Sequence, residues 1–216
     1  MKNKSNKIGT CCICGKPDVL VTDDHIPPKT IFPKPRPKNT ITVAACERCN
    51  SGASDHDQSF SVFLSMMAAT HHPQADLLFK TRTLTTLNSN KKLKRHILST
   101  AEPVNLTSKS GIIYDTAVST LWEFESFNSI IDRTIRGLYY YHFKEILGAK
   151  AKVEVNMING ISKDLSDSAR RFQYNEIGHK GELIYKYFRV IESPLDSAWL
   201  FQFYNSLFVL GFTSPI

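Results

Sequence analysis

The chain has 216 residues, 42% of them hydrophobic and 22% charged, with a formal net charge of +7. That balance excludes an intrinsically disordered protein and suffices for one sizeable domain, or a small module beside a larger one. No run of about eighteen apolar residues occurs, and the start MKNKSNKIGTCC has no apolar segment, so neither a membrane-spanning helix nor a secretory signal is expected, and a cytoplasmic protein is.

The charge is uneven. Residues 1–40 hold eight Lys/Arg against three Asp, while the other 176 residues hold 19 against 17. Basic charge concentrated at one end predicts a polyanionic partner there, with nucleic acid, as DNA, the first expectation. The first seven residues read as a solvated lysine-rich tail. Lys29, Lys34, Arg36 and Lys38 are different, because they sit in a proline-stiffened loop and read as phosphate contacts.

In chain order, the first feature is the cysteine set. All five cysteines lie at positions 11, 12, 14, 46 and 49, giving Cys11-x-x-Cys14 and Cys46-x-x-Cys49. Two such turns supply four thiolates, which suits a tetrahedral structural zinc. An odd cysteine count and no secretory signal argue against a disulfide framework, and a redox pair would not explain two turns. Such a closed site has no position for a reacting water, so the zinc is a staple. Cys12 is spare, a buried or second thiol near the site, or a replacement for Cys11. Between the turns, Val19–Thr22 and Ile41–Val43 are β-prone, and Pro33, Pro35 and Pro37 mark an extended loop. The residues after Cys49 open a helix.

Phe60, Phe63, Leu64 and Met67 follow helical spacing, with Pro73 ending that helix; Met66 and Met67 read as packing. Residues 88–96, NSNKKLKRH, read as a basic polar loop. Ile131, Ile135, Leu138 and His142 share one face of a long helix ending at Gly148, with His142 a satisfied histidine rather than a catalyst. From about Val153 the pattern alternates, with turns at residues 179–181 and 205–206, as in antiparallel strands. The fold class expected is α+β: a small zinc-stapled module at residues 1–57 on a larger body, 58–216, of helices to about 148 and an antiparallel sheet after. The body is expected to orient substrate, dimerise, or dock a regulatory or sensor protein. There is no P-loop, GxGxxG or repeat.

The conjunction of CxxC, Asp24-His25 followed by Ile26-Pro27, and CxxC-Asn50 resembles the HNH nucleases with a ββα-metal fold and a zinc-bound ribbon, over roughly residues 11–57. The resemblance implies Asp24 as a ligand of a catalytic divalent cation, His25 as general base and Asn50 as the second ligand. A hard cation, Mg²⁺ or Mn²⁺, takes carboxylate and amide oxygens, and an imidazole titrates near neutral pH. Two positions differ from the pattern. Ile41 stands where the family has a middle Asn, with Asn39 two residues earlier as its stand-in. Ala53 stands where a lysine often follows, with Asp55, His56 and Asp57 just behind. The function expected is a metal-dependent DNA endonuclease that leaves a 5′ phosphate, by analogy a phage-defence effector. The alternatives are a zinc ribbon that binds nucleic acid without cutting it, and a scaffold that zinc merely folds.

Overall fold

The computed structural model describes residues 7–216. The lysine-rich tail, apart from Lys7, lies outside the described residues. Three strands open the chain: β1 (Lys7–Gly9), β2 (Val19–Ile26) and β3 (Ile41–Cys46), an antiparallel sheet in the order β1-β2-β3. Helix α1 (Ser54–Ala68) follows the second cysteine turn. The helices α2 (Pro73–Leu78), α3 (Leu84–Ser89) and α4 (Lys91–Thr100) come next, then a hairpin of β4 (Glu102–Thr107) and β5 (Ile113–Ser119), and the long α5 (Phe124–Phe143). The C-terminal part holds β6 (Ala151–Ile158), α6 (Lys163–Ser168), β7 (Gln173–Ile177), β8 (Leu183–Arg189), β9 (Ser197–Phe203) and β10 (Leu207–Pro215). Its five strands form one antiparallel sheet in the order β6-β10-β9-β8-β7. The chain is α+β, as expected.

Helix α5 is the centre of the molecule. It touches β2 and β3 on one side and β6 and β10 on another, with α1 alongside. Its Ile130, Ile131, Ile135 and Leu138 are fully buried, each worth about 1.5–3 kcal/mol relative to exposure. Two glycines let it approach so closely. A Cβ at Gly137 would stand 2.6 Å from Ile26 Cγ1 on β2, and one at Gly211 on β10 would run into Ile135 Cδ1. One continuous core runs from Cys11 to Val209 and crosses the expected boundary at residue 57, which falls inside α1. The amino-terminal unit therefore shares its core with the body.

Several elements differ from the sequence expectation. Pro73 begins α2 rather than ending α1, with His72 as the cap accepting from Gln74 N, because proline suits the first helical position. Residues 91–96 belong to α4 rather than a loop. Asn90 caps Leu93 N at 3.0 Å, and Leu93 and Ile97, four apart, are buried. Helix α5 ends at Phe143, five residues before Gly148, where Lys144 takes a left-handed conformation. His142 is satisfied as expected, bonded to the hydroxyls of Tyr185 and Tyr187 at 3.0 Å each, and burial draws its pKa down to about 4. No helix among the described residues is long and apolar enough to cross a membrane.

Candidate functional site

The two cysteine turns meet. The Sγ atoms of Cys11, Cys14, Cys46 and Cys49 all lie within 4.8 Å of one another, with Cys14 and Cys46 4.0 Å apart. Ligand sulfurs around a tetrahedral ion at about 2.3 Å stand roughly 3.8 Å apart, so the set can hold a metal ion. Backbone geometry builds the cluster: Cys49 N and Asn50 N both donate to Cys46 O at 3.0 Å, and Cys46 N donates to Cys11 Sγ at 3.3 Å. Hydrogen bonding from Cys49 draws the Cys11 thiol down to about 4, and the same contact pushes Cys49 up. The cluster readily yields one thiolate; gathering four requires a cation among them. Cys12 turns away. It is buried beside Tyr140, and burial raises its pKa, so Cys11 takes part in the cluster and Cys12 does not.

Strand β2 carries the DDH run, and its register sorts the side chains. Asp24 pairs with Val43 and Ile26 with Ile41, all four buried, whereas His25 pairs with exposed Thr42. Asp24 thus faces inward and His25 outward, as alternation requires. Asn50, one residue past the last cysteine, lies against β2: its Nδ2 donates to Thr22 Oγ1 at 3.0 Å and to Asp23 O at 3.3 Å. Asn50 Oδ1 accepts no hydrogen bond among the described residues.

Inside the hairpin stands a residue that sequence reasoning missed. Arg133, from α5, is 4% exposed. Its Nη1 donates to Cys49 O at 3.2 Å, Nη2 pairs with Asp57 Oδ1 on α1, and Nε lies 3.8 Å from Asp24 Oδ2. That last pair is too long for a hydrogen bond, and both atoms are buried without a partner. At 3.8 Å the attraction is about 4 kcal/mol for an effective dielectric near 20, while burying each ion costs several kcal/mol. Desolvation prevails: burial pushes the Asp24 carboxyl up to about 6, against the pull of Arg133 and with a further push from Asp57. Burial raises Asp57 as well. With both carboxyls ionised, the trio has a net charge of −1. The signal for Arg133 was a cation four residues before Gly137, on a helix face that is otherwise apolar.

His25 makes no side-chain hydrogen bond among the described residues. Burial, Lys29 and Arg36 together lower its pKa, so the ring is neutral at pH 7. Lys29 begins a single turn (Lys29–Ile31) fixed by Ser61 Oγ donating to Thr30 O at 2.7 Å and by the Tyr204 hydroxyl donating to Ile31 O. Arg36 Nε donates to Lys29 O at 3.3 Å, which folds the proline loop back onto the turn that follows β2. Lys34 and Lys38 are exposed on the same loop. No family model, curated protein or solved structure matches this chain. What the site can do therefore rests on its own residues: a neutral, unpartnered imidazole among cations, beside oxygen donors held on the inner face of the same strand.

Asn39, expected at the site, is used elsewhere, and so is His56, which lies close behind the motif. Asn39 donates to Glu176 O and accepts from Gly178 N, both at 3.1 Å, so its amide ties the loop to β7 rather than serving the site. His56 bonds Ser126 Oγ at 2.9 Å, within a network that includes Ser59 and Glu123 and joins α1 to the start of α5. Of the acidic and histidine residues after the second turn, Asp57 is the one that reaches Arg133.

Proposed function

We propose that the chain is an HNH-type, metal-dependent endonuclease that hydrolyses phosphodiester bonds in DNA, with a structural zinc at Cys11, Cys14, Cys46 and Cys49. The observation that carries this reading is His25: an unpartnered imidazole kept neutral by Lys29, Arg36 and burial. Neutrality is what a general base needs, and the same cations suit the phosphate it would act beside. The proposed reaction is attack by water on phosphorus. His25 takes the proton from that water, the bond from phosphorus to the 3′ oxygen breaks, that oxygen leaves as a hydroxyl with a proton from solvent, and the phosphate stays on the 5′ end. Lys29 and Arg36 hold the phosphodiester beside His25, at the end of the hairpin where β2 gives way to the loop, with Lys34 and Lys38 further along.

The donor set fits a hard divalent cation. Asp24 Oδ2 is a buried oxygen without a hydrogen-bond partner, Asn50 Oδ1 is a free amide oxygen, and the trio around Arg133 is net negative. Mg²⁺ or Mn²⁺ bound there would stabilise charge on the phosphate and the leaving oxygen. Asn50 is oriented by its bonds to β2, and Asp24 is fixed by the strand register.

Asp24 also favours a second reading. Its carboxylate is 5% exposed and already shares a resident cation, Arg133, with Asp57. A hairpin so compensated can grip nucleic acid through its basic loop without cutting it. Supercoiled plasmid incubated with the purified, metal-loaded protein separates the two. Nicking that appears with Mg²⁺ or Mn²⁺, and is absent when they are left out, supports the nuclease. Binding without nicking under both conditions supports the gripping module.

A further inference from the structure

Between the proline loop and the second helical region lies a cleft of about 270 Å³. Phe32, Pro33 and Leu78 supply its apolar walls, and Lys34, Arg36 and Arg82 its charged groups. Among the described residues, no acidic side chain lines it. The volume lies just below the roughly 300–1,000 Å³ of sites for drug-sized ligands, which suits a phosphate group with part of its sugar.

Arg82 is the unexplained member. The chain at Phe79–Thr83 winds as a π-helix between α2 and α3, a widened turn that is uncommon and often marks a functional position. This turn brings Arg82 to the cleft, half-buried. Its guanidinium makes no hydrogen bond or ion pair among the described residues, whereas its neighbour Lys80 is paired with Asp76 at 2.7 Å. Arg36 uses only Nε, toward Lys29 O, and leaves its other nitrogens free. Burial and the nearby Arg36 both disfavour the charge on Arg82, with Asp57 the one acidic group opposing them. Two guanidinium groups brought together in a cleft lower each other's stability unless an anion lies between them, and a planar fork matches phosphate oxygens bidentately. Arg36, which lines the cleft, is also one of the charges that lower the His25 pKa.

We propose that this cleft is a phosphodiester subsite in which Arg82 and Arg36 hold one backbone phosphate of a bound nucleic-acid strand. Its place beside the reacting phosphate rests on the reading of His25 given above; the binding itself does not. Lys34, exposed at the rim, extends the contact along the strand. Arg82 is a positioning residue, separated from the chemistry by Arg36.

The test is binding of a short fluorescent DNA duplex, followed by anisotropy across a salt series with no Mg²⁺ or Mn²⁺ present, so that cleavage does not enter. Arg82→Gln keeps a polar side chain, shorter by two bonds, and removes its charge. The log–log salt slope should fall by about 0.9, and affinity near 0.15 M salt should weaken by roughly threefold to tenfold, as for one lost phosphate contact. Arg36→Gln should show the same slope change, while Lys163→Ala, on exposed α6, should show none. Inorganic phosphate as competitor should displace the duplex only weakly and in an Arg82-dependent way. Two results overturn the proposal. One is an Arg82→Gln protein with wild-type melting temperature that binds duplex with unchanged affinity and slope. The other is tight Arg82-dependent binding of inorganic phosphate with no effect on duplex. If the wild type never nicks plasmid while duplex binding depends on Arg82, the nuclease reading fails and the subsite stands.

Discussion

Gly137 is the point at which the central helix meets the DDH strand, and Gly137→Ala tests that contact. The added Cβ would lie 2.6 Å from Ile26 Cγ1 and 3.0 Å from both Cδ1 and Cγ2. Carbon atoms pack at about 3.5–4.0 Å, so roughly 1 Å of separation must be found. Ile26 is fully buried and has no solvent to swing into, so α5 must lift or the isoleucine must leave its rotamer. Overpacking of this kind costs about 1–3 kcal/mol, and the better helix propensity of alanine returns about 1 kcal/mol. The net expectation is a loss of about 0–2 kcal/mol, or up to roughly 8 °C in Tm for a chain of this size. Arg133 sits one turn before Gly137, so lifting the helix also draws the guanidinium away from Asp24. The assay is thermal or urea unfolding of the metal-loaded protein. Ile26→Ala is expected to cost about 2–5 kcal/mol alone, and adding Gly137→Ala to it should cost nothing further, because the opposing atoms are gone. A Gly137→Ala single variant that melts above the wild-type temperature, with the full helix-propensity gain and no overpacking cost, would refute the close approach of α5 to β2.

Cys46→Ser should abolish metal binding at the four-cysteine cluster, proposed as one zinc per chain, and unfold the amino-terminal strands, read by elemental analysis and by a colorimetric zinc-release assay; full metal content in this variant would remove Cys46 from the site. Asp24→Asn should stabilise the fold at pH 7.5. The native Asp24 pKa is raised from 3.8 to about 6, so its ionised form costs on the order of 3 kcal/mol above pH 6, a penalty that shrinks as pH falls toward 4. Urea melts at pH 7.5 and 5.0 should show the advantage of the variant shrinking by about half, and a pH-independent difference would contradict the assignment. Replacing Lys34 and Arg36 together by Ala should lower the salt slope of duplex binding by about 1.8 and weaken all sequences alike; an unchanged slope would place the binding surface elsewhere.

Chain spacing made part of this molecule legible. A CxxC turn brings its two thiols together whatever else the fold does, and Asn50 follows Cys49 directly, so the cluster and the amide beside β2 could be read from residue order. Alternation from about Val153 onward likewise marked β6, β8, β9 and β10. The misreadings came where local chemistry was masked. In NSNKKLKRH the four Lys/Arg hid a helix whose only buried anchors are Leu93 and Ile97. Pro73 reads as a stop or a start depending on whether His72 caps it, which depends on how the chain turns there. Although a lone cation on an apolar helix face marked Arg133 itself, the partners of Arg133 and Arg82 were beyond any local pattern. One gains its role from a strand more than a hundred residues earlier, the other from a widened helical turn facing the proline loop. Asn39 shows the converse, a residue that fits a motif by type and is held by the backbone of β7 instead.

The most direct test of the central claim is the cleavage rate of His25→Ala, measured on supercoiled plasmid together with the melting temperature and metal content of the same protein. The change removes the proposed base and none of the proposed metal ligands, so nicking in Mg²⁺ or Mn²⁺ should fall by roughly 10²- to 10⁴-fold with stability and zinc near wild type. Because the His25 pKa is lowered from 6.5, the wild-type rate should rise with pH through a value below 6.5 and level off above it, and that limb should be missing in the variant. A folded, zinc-loaded His25→Ala protein that nicks plasmid at the wild-type rate would contradict the account.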